Sequence, residues 1–206
     1  MGRPRRHDEA TVARRPDAAE RLLREGGVVA LSVRGVAEAA QETTRAVYSV
    51  FGSKEEMVRA LYRRGQENFL ALTRGVPEHD DPFENLLALT IHGFRAFARR
   101  EPHLYRLIFE RPLPGFTPSA EDRLGLRQAL AALGARTGRV AAAGLAGGRD
   151  PMRLAVEWTL VAQGLVSAEL NASPPEAQDE GVFRDVLRSL FEGWRTPPVR
   201  SGAVPR

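Results

Sequence analysis

A chain of 206 residues, 43% of them hydrophobic, is long enough to bury a sizeable core, either as one domain or as a small domain joined to a larger one. It has no cysteine, which excludes disulfides, thiolate catalysis and cysteine metal sites, and no apolar run approaches bilayer length. The net charge of +4 is unevenly placed: residues 1–64 hold 13 Lys/Arg against 9 Asp/Glu, while residues 65–206 hold 17 of each. That distribution suits a nucleic-acid-facing part attached to a neutral body. Abundant Ala, Leu, Arg and Glu and few β-branched runs predict an all-α fold. The arginine-rich start lacks the apolar run of a secretion signal, so a soluble cytoplasmic protein is expected, with no membrane partner.

In chain order, residues 1–15 read as a flexible basic arm in which Arg3, Arg5 and Arg6 can follow a DNA backbone. The first secure helix is expected from Pro16 to Glu25, with Ala18, Ala19, Leu22 and Leu23 on its apolar side and a stop at Gly26-Gly27; the proline would end or kink any helix before it. Ser32 caps a helix with Val33, Val36, Ala37 and Ala40 on one face, and Thr43 caps a second with Ala46, Val47, Val50 and Phe51 available for packing. Only Gln41 and Glu42 lie between Ala40 and Thr43, so the pair turns sharply, as in a helix-turn-helix. Its outward side carries Thr44, Arg45, Tyr48 and Ser49, able to meet phosphates or base edges. Ser53 with Glu56 forms a capping box for the next helix, whose buried side continues through Met57, Leu61, Phe69 and Leu72, while Arg59, Arg63 and Arg64 face outward or toward a partner.

Beyond the loop Gly75-Val76-Pro77 and His79-Asp80-Asp81, prolines repeatedly open helices. Pro82 starts one with Phe83, Leu86, Leu87, Thr90, Phe94 and Phe97; Glu101-Pro102 ends it and leads to Leu104, Tyr105, Ile108 and Phe109. Thr117-Pro118 or Ser119 is expected to start a long helix toward Gly144, Asp150-Pro151 another, and Ser173-Pro174-Pro175 to separate that from a last one ending near Trp194. The count is about nine helices.

The order of residues in Leu31–Ala40 and Thr43–Glu55, ending in Tyr-x-x-Phe-x-Ser-Lys-Glu, resembles the DNA-binding domain of the TetR family of transcriptional regulators over about fifty residues. The segments Glu101–Phe109 and Trp158–Leu165 look like the family's WHG-type C-terminal domain, with Gln163 where histidine is usual; glutamine hydrogen-bonds but does not titrate near neutral pH. The chain also departs from the family in its turn. Gln41 stands where glycine is common, and Glu42 where an apolar residue is common, so Glu42 must be exposed or find a partner.

The resemblance implies a reader domain at 16–60, a helical effector-binding and dimerisation domain at 61–196, and a flexible tail at 197–206. It implies double-stranded DNA contacts from Thr43, Thr44, Arg45, Tyr48, Ser49 and Lys54, with Ser32 and Arg34 from the preceding helix; Arg45 suits guanine's two acceptors. It further implies a homodimer through the last two helices on a palindromic operator, and repression relieved by a small-molecule effector. An effector cavity would be lined by Phe94, Phe97, Tyr105, Phe109, Phe116 and Trp158, with Thr90, His92 and Gln163 as polar contacts, unless these rings simply fill the core. No cofactor or metal is expected: four histidines form no metal spacing, and no nucleophile or phosphate loop is present, Gly144–Gly148 reading as a helix-ending loop. The competing reading is a helical protein-interaction module whose head no longer binds DNA.

Overall fold

The computed structural model describes residues 6–110, 115–172 and 179–197, with side chains from Arg15 onward. Arg3, Arg5, the Ser173-Pro174-Pro175 separator and the tail beyond residue 197 lie outside the described residues, as does the Arg6 side chain. Among the described residues there are nine helices and no strand. They are α1 (Arg6–Ala30), α2 (Val33–Ala40), α3 (Thr44–Phe51), α4 (Lys54–Arg74), α5, α6, α7 (Leu124–Ala142), α8 (Pro151–Asn171) and α9 (Glu180–Arg195). Helix α5 runs as Pro82–Ala88, then a π-helical stretch Leu89–Arg95, then Ala96–Arg100; α6 runs as Pro102–Tyr105 and a π-helical Arg106–Glu110. None of these helices is long and apolar enough to cross a membrane.

The chain divides into two compact units, one of residues 1–69 and 100–125 and the other of 70–99 and 126–206. In the first, α1 starts at Arg6, earlier than Pro16, because good helix formers precede the proline and outweigh its lost hydrogen bond. The helix is interrupted at Gly27, whose φ of 65° and ψ of −167° need a residue without Cβ. Val28 then turns inward and Val29 is left 93% exposed. The core of this unit is built from Ala19, Leu31, Val36, Val47, Met57 and Leu61, joined by Leu104 and Tyr105 of α6.

The α7 helix begins at Leu124 rather than at Pro118 or Ser119. The intervening residues form a local turn in which the Ser119 N–H donates to Asp122 Oδ2 (2.8 Å) and the Asp122 N–H to Ser119 Oγ (3.1 Å). This turn is fastened to α4, since Arg59 and Arg63 donate to the Asp122 carboxylate and Gln66 Nε2 to its carbonyl. Arg59 and Arg63 therefore have a partner within their own unit; Arg64 likewise binds Asp17 (2.8 Å) and Glu20 (3.0 Å). Burial raises the Asp122 carboxyl, but the Ser119 amide and the two guanidinium groups outweigh it and hold the group at about 2.

In the second unit the rings of Phe83, Trp158, Phe191 and Trp194 pack edge-to-face or tilted, with centroids 5.4–6.3 Å apart. Trp158 Nε1 donates to Thr90 Oγ1 (2.8 Å), and the Thr90 hydroxyl donates in turn to the Leu86 carbonyl (3.1 Å), so a polar pair is satisfied inside an apolar layer. Arg95 and Glu169, each with its side chain 5% exposed, form a two-pronged ion pair at 2.8 and 3.0 Å. The loop before α8 touches the end of α9 at Gly147: a Cβ there would lie 2.3 Å from the Trp194 carbonyl, which Arg149 also binds at 2.6 Å.

Candidate nucleic-acid interface

Helices α2 and α3 are each eight residues long and separated by Gln41, Glu42 and Thr43. Their starts are fixed by side chains: Ser32 Oγ accepts from Gly35 N–H (3.0 Å) and Thr43 Oγ1 from Ala46 N–H (3.2 Å). The end of α2 is a Schellman turn, with Glu42 N–H donating to the Ala37 carbonyl (2.8 Å) and Gln41 N–H to that of Glu38 (3.1 Å). That geometry places Gln41 at φ 57° and ψ 44°, the one non-glycine residue with positive φ among those described. Glutamine thus takes the left-handed position that glycine would occupy more cheaply.

Glu42 does find a partner. Its Oε2 accepts from Arg15 Nε, and both side chains are 13% exposed; its Oε1 is buried with no hydrogen bond. The ion pair ties α1 to the turn between α2 and α3, and so sets where the second of these helices lies relative to the first.

On α3, Val47 and Phe51 sit one turn apart and are buried. Opposite them Arg45 and Ser49 face solvent, flanked by Thr44 and Tyr48 on one side and Val50 on the other; Tyr48 is 54% and Val50 40% exposed. Val50 is therefore on the outward surface and not in the packing face, because Val47 and Phe51 alone fill the narrow strip an eight-residue helix can bury. Arg45, Arg34 and Lys54 are exposed and form no ion pair among the described residues, leaving three cations free for phosphate or base oxygens. Ser49 Oγ donates to the Ala46 carbonyl (2.8 Å), and Ser53 Oγ accepts from Glu56 N–H (3.1 Å), while the Glu56 carboxylate goes to Arg59 instead of closing the capping box. Ser32 and Thr43 use their oxygens as caps, with the hydroxyl protons still available.

The residues expected to line an effector cavity fall into two groups. Thr90, Phe94, Phe97, Trp158 and Gln163 belong to the second unit, where Thr90, Phe97 and Trp158 are buried and Phe94 and Gln163 half-buried; His92 faces solvent. Tyr105, Phe109 and Phe116 belong to the first, where Phe109 packs on Tyr105 (5.0 Å between centroids) and Phe69 (5.7 Å), and Phe116 on Tyr62 (5.7 Å). Both π-helical stretches carry members of this set, which periodicity could not reveal because it assumes α-helical spacing throughout. A second feature missed by pattern is the Glu20–His103 contact (3.2 Å) joining α1 and α6; burial lowers the pKa of His103 in spite of that carboxylate.

Residues 17–61 match the model for bacterial regulatory proteins of the tetR family, and residues 87–190 that for the Tetracyclin repressor-like C-terminal domain, half of the chain by itself. No curated protein matches the chain. Among solved structures it is similar to a protein of unknown function from Rhodococcus sp. RHA1 (TM-score 0.75, 18% identity, 90% of this chain and 96% of that one). It is also similar to a tetR-family regulatory protein from Rhodococcus RHA1 (0.70, 16%, 92% and 98%) and to AibR in complex with isovaleryl coenzyme A and operator DNA (0.65, 19%, 88% and 98%). A reader with α3 outward, a helical body and two matching family models together place the chain in the TetR family of bacterial regulators, which are DNA-binding transcription regulators and not enzymes.

Proposed function

We propose that the protein is a homodimeric repressor that leaves a palindromic operator when a small molecule binds its helical body. The observation that carries the reading is the outward face of α3 and its surroundings: Arg45, Arg34 and Lys54 form no ion pair among the described residues, and Thr44, Tyr48 and Ser49 stand beside them. In this reading Arg45 reads a base edge, while Tyr48, Lys54, Thr43, Thr44 and Arg34 bind the backbone. Ser32 serves first as a cap. The turn forms with Gln41 left-handed and Glu42 paired to Arg15, which supports a working reader over a degenerate head.

Dimerisation is supported by apolar side chains left in solvent on the last two helices. Met152, Val156 and Leu160 recur one turn apart on α8 and are 44, 43 and 65% exposed; Val182 and Val186 on α9 are 45 and 40% exposed. Gly164 continues the α8 row with open space around it, so a second copy can approach the backbone there. The effector role draws on Thr90, Phe94, Trp158 and Gln163, the first two on a π-helical stretch, a geometry frequent at functional sites. The AibR structure, with its acyl-coenzyme A and operator, is an example of the same fold holding both kinds of ligand. An effector acts only through unequal affinity for the DNA-bound and free conformations.

The test is selection of bound duplexes from a random pool by the purified protein, followed by affinity measurement across salt. A palindrome whose binding weakens steeply with salt is expected. No enrichment from a folded dimer would favour the protein-interaction reading instead.

A further inference from the structure

A buried guanidinium is stable when a carboxylate neutralises it or when neutral acceptors fill its donors. Arg136 of α7 has neither in full. It is 7% exposed, and its Nη1 donates to the Asn85 carbonyl and to Asn85 Oδ1, both at 2.7 Å, while Nη2 donates to the Val76 carbonyl at 3.2 Å. A guanidinium has five N–H donors; Nε and one hydrogen of Nη2 are left over. Arg136 makes no ion pair among the described residues: Glu78, the carboxylate of the adjoining loop, is bound to Arg139 and turned to solvent.

Asn85 of α5 doubles the imbalance. It is fully buried, and its Oδ1 accepts both from Arg136 and from the His79 N–H (3.1 Å), which settles which end of the amide points there. Its Nδ2 is then a buried donor with no acceptor among the described residues. Within the second unit, α5, α7 and the loop before α5 thus assemble one positive charge, the spare Nε and Nη2 hydrogens of Arg136 and one buried unfilled donor, Asn85 Nδ2, with no buried unfilled side-chain acceptor among these described residues. Burial depresses the Arg136 pKa, with Glu78 pulling it up and Arg139 pushing it down, as expected for a cation that lacks its own counter-charge.

We propose that this corner binds the oxyanion of a small carboxylate- or phosphoryl-bearing molecule, with Arg136 Nε and Nη2 and Asn85 Nδ2 as its donors. An oxyanion fits because it brings acceptors only, in a planar or branched array matching a guanidinium fork, together with the missing charge. A neutral alcohol or amide would leave the charge uncompensated. Binding of the oxyanion is independent of duplex binding; only its role as the head group of an effector rests on the regulatory reading above. In that role the site would select acidic effectors, since Asn85 lies on the same helix as Thr90.

The experiment uses the full chain and the probes benzoate, inorganic phosphate and, as the uncharged counterpart of the first, benzamide, at constant ionic strength made up with chloride. At about ten times its half-saturating concentration, at least one oxyanion is expected to raise the melting temperature by about 3–5 °C, and benzamide is expected to raise it by none. A response to benzoate alone assigns the site to carboxylates, and to phosphate alone assigns it to phosphoryl groups. Asn85→Asp places a carboxylate against Arg136 without changing side-chain shape; it should raise the melting temperature of the free protein and weaken the probe at least tenfold. Arg136→Gln should also lose the response, and if it does not fold, Asn85→Asp decides alone. Absence of a saturable response to either oxyanion, or an undiminished response in Asn85→Asp, overturns the proposal. Probe binding by a protein that enriches no duplex would overturn the regulatory reading and leave this site standing.

Discussion

Arg15→Leu is the most telling single change in the reader unit. Among the described residues the Glu42 carboxylate has one partner, the Arg15 guanidinium, and its other oxygen is already buried without a hydrogen bond. Removing the cation leaves a carboxylate that is 13% exposed with nothing to bind. Stripping the partner from a fully buried charge costs about 3–5 kcal/mol, and a charge-assisted hydrogen bond contributes about 1.5–3 kcal/mol. Residual solvent access at Glu42 argues for the lower figures, so a loss of about 2 kcal/mol is expected. The reverse change should be milder. In Glu42→Val the long arginine can carry its charge to water, and valine suits the site, so the cost should stay below about 1 kcal/mol. The double variant should lie near Glu42→Val, giving a coupling of about 2 kcal/mol. Urea unfolding followed by helical circular dichroism, at one protein concentration and with an unchanged slope, measures all four corners. A coupling under about 0.5 kcal/mol, or equal losses in the two single variants, would refute the claim that Arg15 exists to neutralise Glu42.

Four other outcomes are expected. Gln41→Gly should raise stability by about 0.5–1 kcal/mol in the same unfolding assay, because the αL position penalises a Cβ, whereas Gln41→Val should lower it. The Asp122 carboxyl is depressed from 3.8 to about 2, so its contribution is present above pH 4 and is lost as pH falls toward 2. That shift corresponds to about 2 kcal/mol, and Asp122→Asn should remove this part of the acid slope. Leu160→Glu should convert a dimer to a monomer in sedimentation with helicity retained, since the residue is 65% exposed in the single chain. On a selected operator, Arg45→Ala should weaken discrimination at one base pair by about tenfold, while Lys54→Ala should weaken all sequences alike and lower the salt slope by about 1.

Local sequence determined the short-range parts of this protein. Ser32, Thr43, Ser53, Asp81 and Asp150 each cap the helix they precede, because a cap needs only a side-chain oxygen and an amide two or three residues on. The buried face of α2 and the buried pair Val47 and Phe51 of α3 follow from spacing, and the TetR pattern runs through both helices. Where several requirements compete, local spacing pointed the wrong way. Val50 faces water because α3 can bury only one strip; the start of α7 is delayed because Arg59, Arg63 and Gln66 capture the turn around Asp122. The partner of Glu42 lies 27 positions away, that of Arg95 lies 74, and the donors left over at Arg136 and Asn85 are 51 apart. Charge neutralisation is a through-space property with no period along the chain, so the tertiary structure alone decided which of these buried charges is satisfied and which still lacks a counter-ion.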